Sequence, residues 1–138
     1  MRNDERTFSG CPVLSDSQIA SYMTTGEIPV NAEFLEVPPG KVVRQRGFWL
    51  RPSVRMHHTA IVFLVSSDVY EMNEDELANH REQIHCCRSP KSNTAYLGSI
   101  KAVTDEHNVL LPLMPGLHEP LHIDGVDLIY VGRVIAAC

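Results

Sequence analysis

The stretch TAIVFLVSS at residues 59–67 decides the fold of this sequence. It is rich in β-branched and aromatic side chains and apolar at successive positions, which is typical of a strand buried on both faces of a sheet. Its uninterrupted apolar run covers only residues 60–65, whereas a helix needs about 20 such residues to cross a bilayer. The stretch therefore predicts a central sheet strand, and we expect no membrane span.

Strand signals also dominate the sequence after residue 94. The segments TAYLGSIKAV, VLLPLM, LHEPLHI and VDLIYVGRVIAA are apolar and are separated by polar turns or by Pro-Gly. The last turn contains Asp124-Gly125, a dipeptide that favours a hairpin between paired strands. The C-terminal part of the chain therefore predicts a meander of about four strands.

Capping signals predict two short helices. Ser15 and Gln18 have the spacing of a capping box and Gly26 supplies a stop, which indicates a helix at about 15–25. Acids in the first turn of the second segment favour a helix at about 74–87. Together with the strands, these helices predict an α+β fold, a single β-rich domain with an antiparallel sheet or a small barrel.

The length and composition favour one globular domain over residues 1–138, since 43% of the residues are apolar and 21% are charged. We expect residues 1–12, which lack the apolar core of a secretory signal, to form a flexible N-terminal segment. The cysteines show no regular disulfide spacing, which indicates a reducing, cytoplasmic location. They are Cys11, Cys86, Cys87 and Cys138.

The segment NHREQIHCC gathers His80, His85, Cys86 and Cys87, residue types that bind metals or act as nucleophiles. On the predicted helix, however, His80 and Cys87 are about 10 Å apart along the axis and cannot easily share one ion. The helical spacing of the apolar residues there favours packing against a core, with one reactive exposed cysteine as the exception.

Residues 118–122 match the H-E-x-x-H pattern of zinc hydrolases. The pattern needs a helix, because residues four apart then share one face and both histidines reach one metal. Pro120 and the turn at Asp124-Gly125 favour a strand instead, in which Glu119 points away from the histidines. A zinc-dependent hydrolase is one alternative, with His118 and His122 as ligands, Glu119 as general base and Asp124 or Asp127 completing the site.

Between residues 41 and 55 the chain carries five basic residues and no acid, together with two aromatic residues. Cations beside aromatic rings bind phosphates and bases, or an acidic protein surface. The competing interpretation is an edge strand with solvated charges and with Trp49 in the core. The candidate binding residues are Lys41, Arg44, Arg46, Trp49, Arg51 and Arg55.

Residues 12–30, PVLSDSQIASYMTTGEIPV, are similar to the opening of the deoxycytidine triphosphate deaminase family, where a capped helix and a Gly-x-Ile turn begin the chain. The Arg-Ser-Ser catalytic motif of that family has only Arg88-Ser89-Pro90 as its counterpart, and the Pro-x-Ser-x-Asp stretch is missing. We therefore do not assign the chain to that family.

The leading hypothesis is a non-enzymatic interaction or assembly protein that forms homo-oligomers and needs no cofactor. Its contact surface is the basic aromatic segment 41–58, which would bind an acidic protein surface or nucleic acid. Exposed sheet edges favour self-association. A further alternative is a nucleotide or single-stranded nucleic-acid binding protein, and the hydrolase alternative requires zinc.

Overall fold

The computed structural model describes residues 10–41, 43, 46–54, 60–66, 83–104 and 107–138. Within these ranges, nine strands form one sheet in the order β2-β1-β3-β4-β9-β5-β6-β7-β8. In chain order the elements are β1 (Gly10–Leu14), a 3-10 turn (Asp16–Gln18), α1 (Ile19–Thr25), β2 (Phe34–Glu36), β3 (Phe48–Leu50), β4 (Phe63–Ser66), β5 (Ile84–Ser89), β6 (Thr94–Thr104), β7 (His107–Pro112), β8 (Leu121–His122) and β9 (Ile129–Ala137).

The predicted β-rich class is confirmed, but the predicted antiparallel sheet or small barrel is wrong. β1 and β3 are parallel, with Val13 opposite Trp49, so the sheet is mixed. In the described part of the chain, β2 and β8 lie at opposite ends of the sheet, which is not a closed barrel. The parallel pair arises because the chain passes through α1 and β2 between these strands instead of through a tight turn.

The predicted central strand is confirmed at β4, which lies between β3 and β9 with all of its residues buried. Phe63 and Val65 face a core that also contains Ile19 of α1. Leu64 packs with Trp49 in a second core on the opposite face of the sheet. Because β4 is covered on both faces and paired on both edges, an uninterrupted apolar sequence suits it.

The predicted C-terminal meander is correct for β6, β7 and β8, which pair in succession after β5. The last strand, β9, departs from it and inserts between β4 and β5. The hairpin predicted at Asp124-Gly125 is therefore wrong, because β8 and β9 are not neighbours. A local turn does form there, since Gly125 has φ of 77° and donates its N–H to the Leu128 carbonyl at 3.0 Å.

The first predicted helix is confirmed, and the residues predicted to begin and end it have these roles in the structure. The Ser15 N–H donates to Oε1 of Gln18 at 2.9 Å, which is one half of the expected capping box. Gly26 ends α1 with φ of 79°, and its N–H donates to the Tyr22 carbonyl at 2.9 Å. The N-terminal segment predicted at 1–12 overlaps β1 from residue 10, and residues 1–9 lie outside the described ranges.

The second predicted helix, at about 74–87, is wrong where it can be compared with the structure. Residues 84–87 belong to β5, and residues 74–82 lie outside the described ranges. β5 pairs with β6 on one edge and with β9 on the other, and His85, Cys86 and Cys87 are all buried. Three consecutive buried residues carry no alternation, so the spacing of the apolar residues could not distinguish this strand from a helix.

The Asp16 carboxylate connects three parts of the fold, although only 7% of the residue is exposed. Its Oδ1 accepts a hydrogen bond from the Ser53 N–H at 3.0 Å. Its Oδ2 accepts from the Ser53 hydroxyl at 3.1 Å and from the Ala95 N–H at 2.9 Å. The 3-10 turn is thereby joined to the loop after β3 and to β6, and the several donors offset the cost of burying a charge.

We expect Asp16→Asn to lower the free energy of unfolding by about 2 kcal/mol or more, because the new NH₂ group faces donors that lose their acceptor. Urea unfolding monitored by Trp fluorescence measures the loss. Asp127→Asn is the matched control, since Asp127 is exposed and should tolerate the same change. Equal stabilities for the two variants would contradict the role assigned to Asp16.

Candidate interaction surface

The side chain of Arg46, one of the predicted binding residues, forms hydrogen bonds within the protein. Its Nη1 donates to the Tyr22 carbonyl at 3.1 Å and to the Met23 carbonyl at 2.7 Å. Both carbonyls lie in the last turn of α1, where the helix dipole favours a cation. Arg46 therefore stabilises the end of α1.

Trp49, the aromatic residue of the predicted contact surface, lies inside the protein. Only 1% of it is exposed, and it packs with Val13, Val62 and Leu64 between the sheet and the segment that follows β2. Its Nε1–H donates to the Leu35 carbonyl at 3.2 Å. A ring in this position cannot stack on a base or cover an acidic partner while the fold is intact.

Two other predicted binding residues lie at the surface. Arg51 forms an ion pair with Glu33, at 3.3 Å between Nη2 and Oε1, and both side chains are about half exposed. Lys41 is exposed and ends a turn in which its N–H donates to the Pro38 carbonyl at 3.1 Å. The remaining two, Arg44 and Arg55, lie outside the described ranges. Of the described members of the set, Lys41 and Arg51 are therefore at the surface, whereas Trp49 is buried and Arg46 bonds to α1.

The segment that carries the H-E-x-x-H pattern has no helical turn at residues 117–123; only Leu121–His122 is a strand. The His118 ring nitrogen Nδ1 is 2.7 Å from the Glu119 carbonyl, and the ring lies edge-on to Tyr96 with centroids 5.2 Å apart. The helical geometry that would direct two histidines at one metal is therefore missing. Among the described residues, no group of three or more His, Cys, Asp or Glu side chains could hold a metal ion.

Asp124, considered as a further ligand of that site, has a structural role in its own loop. Its Oδ1 accepts hydrogen bonds from the backbone N–H groups of Val126, Asp127 and Leu128 at 2.8, 2.7 and 3.0 Å. The bonds from Leu128 and Val126 contribute most to lowering the pKa of the carboxyl below its ordinary value, because they favour its charged form.

We expect the folded protein to lose stability in acid partly through Asp124. A group whose pKa is lower in the folded state stabilises the fold above its unfolded pKa, and this contribution is lost as the pH falls through the folded pKa. Asp124→Asn keeps an acceptor oxygen but cannot titrate, so its melting temperature should fall less steeply below about pH 4. Thermal melts between pH 2 and 6 test this. Identical acid profiles for the variant and the wild type would contradict it.

The buried cysteines are unsuited to nucleophilic catalysis. Burial raises the pKa of Cys87 to about 12 and raises that of Cys86 well above its ordinary value. Burial also raises the pKa of Cys11. The thiolate, which is the reactive form, is therefore disfavoured at all three positions. The other two members of the predicted cluster differ: His85 is buried with Nδ1 at 3.0 Å from the Tyr130 hydroxyl, and His80 lies outside the described ranges.

We expect one cysteine to react quickly with a thiol reagent in the native state. Cys138 is exposed, whereas the other three are buried and protonated, so a single rapid phase should be followed by slow ones limited by unfolding. Absorbance during reaction with a disulfide reagent measures the phases. Cys138→Ser should remove the rapid phase, and a second rapid thiol in that variant would contradict the burial of the others.

An apolar surface that the sequence analysis did not identify lies between α1 and β2. Three of the six large apolar residues exposed in the described ranges fall within residues 28–34, namely Ile28 at 44%, Val30 at 90% and Phe34 at 40%. The Ala32 N–H donates to the Pro29 carbonyl at 3.2 Å and Asn31 has φ of 63°, so Val30 lies at the tip of a tight turn. We call residues 28–34 the apolar segment.

A surface cleft of about 330 Å³ adjoins this segment. The apolar side of the cleft consists of Ile28, Pro29 and Val30. Its polar side consists of the side chains of Ser17, Gln18 and Ser21 together with Glu27. A valine or isoleucine in a turn region rich in Pro and Asn was the available signal in the sequence, but burial of loop residues depends on tertiary contacts.

The sign of the charged residues along the chain changes at residue 40. Residues 27–40 carry three acids and no lysine or arginine, whereas residues 41–55 carry five basic residues and no acid. The Arg51–Glu33 ion pair joins the two segments within the molecule. The cleft therefore lies in an acidic stretch that continues directly into a basic one.

No protein-family model matches the chain, and no curated protein matches it significantly. Within the described ranges, no helix has the length and apolar character needed to span a bilayer. A function must therefore be inferred from the chemistry of the surface.

Proposed function

We propose that the protein is a non-catalytic interaction and assembly protein that self-associates through the apolar segment and its cleft. The observation that carries this proposal is Val30, an apolar side chain held 90% exposed at the tip of a turn beside a second exposed aliphatic residue, Ile28. Single exposed apolar residues are ordinary on protein surfaces, but neighbouring ones beside a cleft are typical of contact sites.

The energetics suit a contact with a small apolar centre. Complete burial of a valine or isoleucine side chain is worth about 1.5–3 kcal/mol, so Val30 and Ile28 can anchor an interface. They cannot form a stable interface alone, since a specific one buries about 1,200–2,000 Å² in total. The hydroxyls of Ser17 and Ser21 and the charge of Glu27 supply polar groups around this centre.

The basic segment contributes to this role through its exposed residues. Lys41 and Arg51 offer positive charge for an acidic partner surface, although Arg51 already pairs with Glu33. Charge at the rim of an interface increases association rate and specificity more than affinity. We therefore place the centre of the contact at the apolar segment and its electrostatic rim at Lys41 and Arg51.

An interaction role is preferred to the two alternatives on specific grounds. Zinc hydrolysis by His118 and His122 would need a helix, and this stretch has no helical turn. Nucleotide binding as predicted would use Trp49 to stack on a base, and Trp49 is in the core.

We expect Val30→Ser to weaken self-association by about tenfold, because it removes about 1.4 kcal/mol of apolar burial at the contact. Sedimentation velocity over a concentration series measures the association. Val126→Ser is the matched control, since Val126 is also a loop valine and is 72% exposed. A wild-type protein that stays monomeric at high concentration, or equal effects of the two substitutions, would contradict the proposal.

A further inference from the structure

We infer that the cleft binds the turn at residues 38–41 of a second copy of the chain, so that the copies associate head to tail. The inference rests on the proposed function and names the partner of the same surface. It follows from the complementary chemistry of two exposed features, the cleft beside Val30 and the turn that ends at Lys41.

The cleft combines an apolar wall with one negative charge. Ile28 and Val30 line it together with Glu27, which is exposed. Within the described ranges, no ion pair involves the Glu27 carboxylate. A ligand that fits this cleft presents an apolar body and a single cation.

The turn at residues 38–41 has these properties. Pro39, Gly40 and Lys41 are exposed, and the turn is closed by the bond from the Lys41 N–H to the Pro38 carbonyl. Gly40 has φ of 82°, which a tight turn of this kind requires. Two adjacent proline rings restrict the backbone, so the turn loses little conformational entropy when it binds.

A second copy is favoured because the acid and the base do not pair within one molecule. No ion pair joins Glu27 to Lys41 among the described residues. The Arg51–Glu33 pair demonstrates that acids of residues 27–40 and bases of residues 41–55 do pair when they meet. Because the cleft and the turn are different surfaces, the contact is heterologous and builds a ring or an open chain.

Charge reversal tests the inference. Glu27→Lys and Lys41→Glu should each weaken self-association by about fivefold or more, because each replaces an attraction with a repulsion. The double variant carries the exchanged pair and should regain association. A 1:1 mixture of the two single variants should also associate, since the lysine in the cleft of one meets the glutamate in the turn of the other.

Sedimentation velocity of these samples at low and moderate salt gives the association constants, and circular dichroism checks that each variant is folded. Lys91→Glu and Glu119→Lys are the matched controls, because both residues are exposed and lie in other loops. Both controls should associate like the wild type.

The outcomes separate this inference from the proposed function. If Val30→Ser weakens association but the reversals at Glu27 and Lys41 do not, the inference is overturned and the proposed function stands. Weakening by the single reversals without recovery in the mixture and the double variant also overturns it. If the wild type does not self-associate, both the inference and the proposed function are contradicted.

Discussion

The insertion of β9 between β4 and β5 is the constraint on which the rest of the structure depends. One edge of β9 pairs with β4 and the other pairs with β5. It therefore joins the first four strands of the chain, β1 to β4, to the meander of β5 to β8. The end of the chain extends this pairing, since Cys138 exchanges backbone hydrogen bonds with Val62. Among the described strands, β9 is the one that pairs with both parts of the sheet. The sheet can therefore be completed only when contacts distant in sequence form, which is a slow step for β-rich chains.

At the first helix, local signals in the sequence predicted the local structure correctly. Ser15, Gln18 and Gly26 specify the ends of the first helix, because capping and a left-handed stop act within a few residues. The position of β9 could not be predicted in this way. The Asp124-Gly125 dipeptide favours a hairpin, but the pairing of β9 with two distant strands determines where the chain goes next. The prediction of a helix where β5 lies was wrong for a related reason. The central residues of β5 are buried on both faces, so apolar and polar residues do not alternate along the strand.

The candidate site was predicted even less completely, because the side chains that define it differ from their neighbours only in burial. The count of basic residues between 41 and 55 identified a charged segment, yet Arg46 bonds to carbonyls of α1 and the buried Trp49 bonds to a carbonyl of β2. Nothing in the sequence around Val30 indicates that its side chain is exposed. Its 90% exposure results from its place in a turn in which Asn31 has a positive φ. The amino-acid composition therefore predicted the basic segment, but it could not predict the exposed apolar surface.

Arg46 nevertheless affects the proposed contact, through the helix end that it stabilises. Gly26 turns the chain out of α1, and the next residues, Glu27 and Ile28, enter the cleft. The Arg46 guanidinium donates to the carbonyls of Tyr22 and Met23, just before this turn, and a side chain added at Gly26 would contact it. The Arg46 side chain thus ties residue 46 to the end of α1, next to the residues that line the cleft. Arg46, which was predicted to contact a partner, thus lies beside the surface that we propose as the contact and stabilises the helix end next to it.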